Sequence, residues 1–271
     1  YLNNILVTAY NIYLYVIRIN MSEFNDSLHT MTLSEDGSFT AYSKEYEEHY
    51  HSTKDGALHE SLTKHVIPAF KLHDDRGEVN ILDICFGLGF NTLATIYYVE
   101  KNNLDIKINI YSPELDADLI HSLENFTYPS DFDAYKKIIA SLVQNGKYED
   151  DKINIEVFLG DAREYIKRFE DNTFDIVYQD AFSPSTNPIL WTREYFKDIK
   201  NIIKEEGVLT TYSIALATRL ALYENDFNVY INEGKDFRKA TLATLGSLDG
   251  FKEVDMKHKI SCNPDATSLR D

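Results

Sequence analysis

The chain has only two cysteines, Cys85 and Cys262, in 271 residues. They form neither a disulfide framework nor a metal spacing. With no other redox signal, a reducing cytoplasm is the expected compartment. The eight histidines are scattered. His49 and His51 stand close together, but no H-E-x-x-H motif or Cys/His set accompanies them, which argues against a metal site. Basic residues are scarce: 27 Lys and Arg against 44 Asp and Glu give a net charge of −17. That balance opposes non-specific binding to a polyanion and favours cationic ligands or a basic partner. The deficit lies mostly in residues 1–160, with 12 basic and 25 acidic side chains against 15 and 19 in residues 161–271. A nucleic acid would therefore meet the C-terminal half more readily. The one long apolar run, residues 1–20, is broken by Asn3, Asn4, Asn11, Arg18 and Asn20. It has no basic n-region and no A-x-A-like site, so neither a signal peptide nor a membrane anchor is expected. Met21 reads as the natural start and residues 1–20 as an upstream extension, an expectation that an N-terminal mass measurement tests.

The organising stretch is Val79 to Thr92, VNILDICFGLGFNT. Val79, Ile81, Leu82 and Ile84 suit a strand covered on both faces. Asp83 interrupts them, and Gly87 and Gly89 then allow a tight turn into a helix led by Asn91 and Thr92. The dinucleotide fingerprint would need a glycine at Thr92, and no Lys-Ser/Thr pair completes a P-loop. By itself, the G-x-G is either a packing turn or a small-molecule corner.

From there strand and helix alternate. Strands are expected at 106–112, 153–158, 174–178, 208–212, 227–231 and 240–245, with helices between them, including 131–144, 192–204 and 214–223. Gly207 reads as a helix C-cap. Upstream, two short strands flank Glu35-Asp36-Gly37, and an amphipathic helix follows from Ala57 to Phe70. The pattern predicts a doubly wound α/β fold with a mostly parallel seven-stranded sheet, Rossmann-like. Residues 21–75 are expected to cover the active-site edge, 76–250 to form the catalytic domain and 251–271 a C-terminal tail.

Glu114, Asp161 and Asp180 each follow a predicted strand, where such folds bind ligands. A carboxylate after the second strand can accept hydrogen bonds from both ribose hydroxyls, and Asp161 from an adenine amino group. Asp161 is also a good N-cap for a helix at Ala162, and one residue can serve both purposes. A sulfonium cation suits an acidic pocket. Together the three acids point to S-adenosylmethionine (SAM). Asp180-Ala181-Phe182-Ser183-Pro184 resembles the Asp/Asn-Pro-Pro-Tyr/Phe loop of amino-methyltransferases. There Asp180 would orient an amine and accept its proton, while Phe182 stacks on a base or walls the site.

The run DAFSPSTNPILWTREYF, Asp180 to Phe196, resembles the DAFSPxKNPxLW motif of MnmC-like tRNA methyltransferases. FGLGFN at Phe86 to Asn91 is similar to their GFGTGLN, YHSTKDGALHES at Tyr50 to Ser61 to a substrate-side segment, and GVLTTYSIALATRLAL at Gly207 to Leu222 to GGTLATFT…VRRGL. The resemblance implies SAM-dependent N-methylation of 5-aminomethyl-2-thiouridine at the tRNA wobble position. It implies a cofactor site at Asp83, Phe86, Gly87, Gly89, Asn91, Glu114, Asp161 and Ala162, and a catalytic Asp180. It implies substrate contacts at Glu60, Phe182, Pro184, Asn187, Trp191, Lys235, Arg238 and Lys239. Trp191 reads equally as a core anchor, and the three basic residues as solvated surface charges. In two-domain members a flavin oxidase domain prepares the substrate. Here the resemblance is to a stand-alone methyltransferase domain without FAD, with a separate FAD oxidase as the implied partner. Leu88 and Thr186 depart from the family's Thr and Lys. A polyamine aminopropyltransferase of the same fold and a non-catalytic RNA-binding module are the rival readings.

Overall fold

A computed structural model of the chain describes Phe24, residues 28–73 and residues 76–271. The proposed start at Met21 and the extension before it lie outside the described residues. Three short strands, β1 (His29–Leu33), β2 (Phe39–Ser43) and β3 (Glu48–His49), form an antiparallel sheet. A helix, α1, follows in three continuous segments: Ala57–Ser61, Leu62–Val66 and Ile67–Phe70. Its middle segment is π-helical. Such widened turns re-aim side chains and recur at functional sites.

The main body runs β4 (Glu78–Ile84), α2 (Phe90–Lys101), β5 (Lys107–Glu114), α3 (Ala117–Ser122), α4 (Lys136–Asn145) and β6 (Lys147–Glu149). It continues with β7 (Ile153–Leu159), α5 (Ala162–Ile166), β8 (Phe174–Gln179), α6 (Arg193–Ile202), β9 (Ile203–Thr211) and α7 (Leu216–Tyr223). The strands β10 (Asn228–Asn232), β11 (Ala240–Thr244) and β12 (Lys252–Glu253) and the helix α8 (Met256–Cys262) follow. The sheet order is β12-β10-β11-β9-β8-β4-β5-β7-β6. The expected seven strands are present, and the short β12 and β6 extend the two edges. Pairings among β9, β8, β4, β5 and β7 are parallel, whereas β11 and β10 pair antiparallel.

β4 is central because both its faces are apolar. Val79 and Ile81 join one core cluster, and Leu82 and Ile84 the other, following the two-residue period of a strand. The order reverses at β4, since β5 lies on one side and β8 on the other. Chain crossovers there leave a crevice beyond the strands' carboxyl ends.

Three local expectations need correction. β5 continues through Pro113 and Glu114, which pair with Phe158 and Leu159. Residues 130–135 form a 3₁₀ turn before α4 rather than its first turns. Gly207 is no helix cap: α6 ends at Ile202, and Gly207 lies inside β9. The register of β9 against β8 shifts there, from Phe174↔Ile203 to Ile176↔Val208. A Cβ on Gly207 would stand 2.7 Å from Ile203 Cγ1 and 3.1 Å from the Asp175 carbonyl, so the irregularity requires glycine.

Candidate active site

The crevice is a cleft of about 1100 Å³. Its floor is the corner after β4. Cys85 has φ +67°, Gly87 +55° and Gly89 +74°. The turn closes through Gly89 N–H to the Phe86 carbonyl at 2.8 Å. Gly87 faces the cleft, where a Cβ would stand 3.2 Å from the Tyr50 ring. Gly89 faces Phe86 instead and caps α2, outside the cleft lining. Leu88 is fully buried, so this departure from the family motif points into the core.

Glu114 ends β5 beside that turn. Its Oε2 accepts from Gly87 N–H at 2.8 Å and its Oε1 from Asp116 N–H at 2.9 Å. Burial pushes its carboxyl above the usual range, against the pull of those backbone donors. Asp161 caps α5 with one oxygen, Oδ1, which accepts from Arg163 N–H at 2.7 Å and Glu164 N–H at 3.3 Å. The carboxylate lines the cleft with Ala162, and Oδ2 takes no part in the cap.

Asp180 follows β8 at the centre. Asn91, from the first turn of α2, donates through Nδ2 to Asp180 Oδ2 at 2.9 Å. His65 Nε2 stands 3.4 Å from Oδ1. Burial raises the Asp180 carboxyl, but His65, His51 and Asn91 outweigh it and hold the group below the ordinary carboxylate range. Asp83 is expected at the cofactor but lies beneath it, fully buried and off the cleft lining. It accepts from Thr92 Oγ1 at 2.8 Å and from Asn91 Nδ2 at 3.3 Å, bracing the start of α2.

The loop after Asp180 is pinned from several sides. Tyr212 donates its hydroxyl to the Ala181 carbonyl at 2.9 Å, and Trp191 Nε1 donates to the Phe182 carbonyl at 2.8 Å. Trp191 has no exposed surface and packs against Phe196 and Tyr212. A substrate contact at Trp191 is therefore corrected to a core anchor under the loop. Phe182 and Asn187 line the cleft, whereas Pro184 does not. Phe182 stacks on Tyr46, with centroids 4.8 Å apart and planes at 25°, and meets Tyr50 at 5.0 Å.

Glu60 lines the opposite wall and is occupied: it pairs with Lys64 one turn on and accepts from Ser52 N–H at 2.6 Å. Arg238 and Lys239 lie on the rim, while Lys235 is exposed but off the lining. Tyr46, Tyr50, His51, Lys64, His65 and Asp116 complete the surroundings without having been among the expected site residues, although Tyr50 and His51 open the segment likened to a substrate-side one. His65 sits among apolar residues at helical spacing, and its partners Asp180 and Thr210 lie far along the chain. Asp116 caps α3, accepting from Leu119 N–H at 2.8 Å, and an Asp just before a helix is the sequence signal that could have found it.

Residues 131–246 match a family model described as S-adenosyl-L-methionine-dependent methyltransferase. The crystal structure of MnmC2 from Aquifex aeolicus is 31% identical, covers 100% of this chain and 91% of its own, and superposes with a TM-score of 0.79. The chain belongs to the MnmC-like family of SAM-dependent methyltransferases. An uncharacterized protein of Methanocaldococcus jannaschii is 31% identical over 199 residues, 73% of this chain and 54% of that protein. The tRNA 5-methylaminomethyl-2-thiouridine biosynthesis bifunctional protein MnmC of Leptospira interrogans is 26% identical over 82% of this chain and 36% of its own length. The chain thus spans about half of the first curated relative and about a third of the second. The cleft suits SAM: glycine at the turn leaves room for close approach, acids offer hydrogen-bond acceptors, and a sulfonium gains from the negative lining. Among the described residues, no helix is long and apolar enough to cross a membrane.

Proposed function

We propose that the protein methylates the aminomethyl nitrogen of 5-aminomethyl-2-thiouridine at the tRNA wobble position, giving 5-methylaminomethyl-2-thiouridine. The observation that carries this reading is the meeting of the Asp180 carboxylate with the Tyr46–Phe182 stack in one cleft. An anionic acid receives an amine, and aromatic faces receive a base. SAM supplies the methyl group when bound. Glu114 holds its ribose hydroxyls, Asp161 Oδ2 its adenine amino group, and Gly87 lets the methionine end lie close to backbone. Phe86, Asn91 and Ala162 complete that wall. Asp180, held by Asn91 and His65, orients the amine toward the methyl group. Arg238 and Lys239 on the rim meet phosphates, with Lys235 further out. A separate FAD oxidase prepares the substrate, and both work in the cytoplasm.

The test is incubation with methyl-labelled SAM and tRNA carrying 5-aminomethyl-2-thiouridine, followed by nucleoside analysis. The expected result is one labelled methylaminomethyl nucleoside. No methyl gain in tRNA would overturn the reading. In a parallel incubation with a diamine, transfer of label from decarboxylated SAM labelled in its aminopropyl chain would favour aminopropyl transfer, to which the acidic lining is also congenial.

A further inference from the structure

His51 follows β3 and lines the cleft. Its backbone N–H is tied to Thr40 Oγ1 at 3.2 Å, and its ring packs against Phe90, centroids 5.0 Å apart. The side chain is thus fixed by its surroundings. Yet neither ring nitrogen has a hydrogen-bond partner, although the residue is only 9% exposed. A buried, unpaired imidazole is costly and invites explanation. Its position offers one.

The proposed substrate supplies the missing partner. A primary aminomethyl group is mainly an ammonium ion in neutral water and has no free lone pair. Methyl transfer requires that one proton leave first. Asp180 attracts that ammonium, and His65, His51 and Asn91 hold its carboxyl below the ordinary carboxylate range, which makes it a weaker proton acceptor than an imidazole. Resting on the tRNA-amine reading above, we infer that His51 is the general base, taking the proton from the substrate ammonium that Asp180 orients.

The step balances. One N–H bond of the ammonium breaks, its electron pair stays on nitrogen, and the proton passes to a ring nitrogen of His51. The freed pair then forms the N–C bond as the methyl carbon parts from sulfur, which keeps the C–S pair. The product leaves as a secondary ammonium, and His51 returns its proton to water. The surroundings suit the first transfer. Burial lowers the basicity of His51 and keeps it neutral and ready, with His65 and Lys64 acting in the same direction. The carboxylates of Glu60 and Asp180 pull the other way and would stabilise the imidazolium once formed. His51 thus sits between two acids that favour its charged state and a setting that keeps it uncharged at rest.

The test uses the full chain and tRNA bearing 5-aminomethyl-2-thiouridine. Single-turnover methylation is followed against pH for wild type, His51→Phe and His51→Gln. Both variants should be about 100-fold slower near pH 7, within the usual range for losing a general base. Gln can hydrogen-bond but cannot carry the proton, so it should be no better than Phe. The defect should shrink as pH rises and the amine loses its proton unaided. SAM affinity by calorimetry should stay within about twofold, reporting an intact fold and cofactor corner. A rate ratio constant with pH, or a variant as fast as wild type, would overturn the assignment. Wild-type protein that methylates no tRNA nucleoside would instead overturn the underlying substrate reading.

Discussion

His65 Nε2 stands 3.4 Å from Asp180 Oδ1, while the other ring nitrogen, Nδ1, meets Thr210 Oγ1 at 2.8 Å. The imidazole is fully buried, and its edge packs on Tyr178. A hydroxyl on β9 thereby fixes the ring that faces the central carboxylate. The π-helical turn of α1 brings His65 to that place. On the proposed function His65 would be a positioning residue, acting through Asp180. Because the folded-state pKa of Asp180 is depressed, its ionisation adds stability above the unfolded value, and that stability is lost as pH falls through the folded one. Replacing His65 with Gln should move the acid limb of the rate profile to higher pH and lower kcat/KM about 10- to 100-fold at neutral pH. A pH–rate series checks this, and an unmoved acid limb would remove His65 from the role.

Asp83 has the opposite sign. Burial pushes its carboxyl up to about 7, against the hydrogen bonds from Thr92 and Asn91. The protonated form is favoured in the folded state. Its stabilisation is complete below the unfolded pKa near 4 and is lost as pH rises toward 7. Asp83→Asn should remove that loss, gaining about 1–4 kcal/mol relative to wild type at pH 8 and little at pH 4. Urea unfolding at the two pH values measures the difference. A difference independent of pH would refute it.

Cys85 holds φ +67° immediately after β4, a conformation that costs a side chain about 1–2 kcal/mol. The Cys85→Gly protein should melt higher, by about 1 kcal/mol of stability, and Cys85→Val lower. Thermal unfolding of the pair is the check. The thiol itself is held protonated by burial and by the surrounding acids, so Cys85 should react slowly with alkylating reagents.

Much of this was legible because the chain states it locally. The apolar run of β4, the acids at the ends of β5, β7 and β8, and the glycine turn all lie within short windows. Asp161 could be read as a cap because capping is local. The Gly207 reading failed because Lys-Glu-Glu-Gly resembles a helix end, whereas the chain enters β9 at Ile203 without a turn. Trp191 carried no cue to its side, and only packing decided that it supports the loop from below. The upper wall was least legible. Tyr46 reaches Phe182, and His65 reaches Asp180 and Thr210, across more than a hundred residues, and no periodicity reports such meetings.

Glu114 and Asp161 should separate in their effects. Glu114 binds two backbone N–H groups with its two oxygens and also fixes the turn at Gly87. Glu114→Gln should weaken SAM binding at least about tenfold, as expected when a charge-assisted bond is removed. Asp161→Asn keeps a cap and should lose only adenine affinity, while Asp161→Ala should also lose about 1 kcal/mol of stability. Calorimetry with SAM, paired with thermal unfolding, reads both. Equal losses of SAM affinity and stability in all three variants would mean that the acids are only structural.

A chain of net charge −17 repels RNA overall, so any tRNA contact must be concentrated where cations gather. The cleft rim offers Arg238 and Lys239, both substantially exposed. Arg238 leans on Asp55 at 3.5 Å and Ser52 Oγ at 3.3 Å, and Lys239 pairs with Glu233 at 2.7 Å. The Lys239–Glu233 pair is exposed on both sides, and such pairs are weak and easily exchanged for phosphate, whereas Arg238 meets a largely buried Asp55 from its exposed side. Removing both side chains should leave SAM affinity unchanged and weaken tRNA binding. The slope of log affinity against log salt should fall by about 0.7–0.9 for each phosphate that no longer meets a cation. Lys235→Ala should have a smaller effect, because that residue stands off the cleft lining. Filter binding across a salt series measures the slope. An unchanged slope in the double variant would mean that tRNA approaches over another face, and that these cations serve only their acidic neighbours.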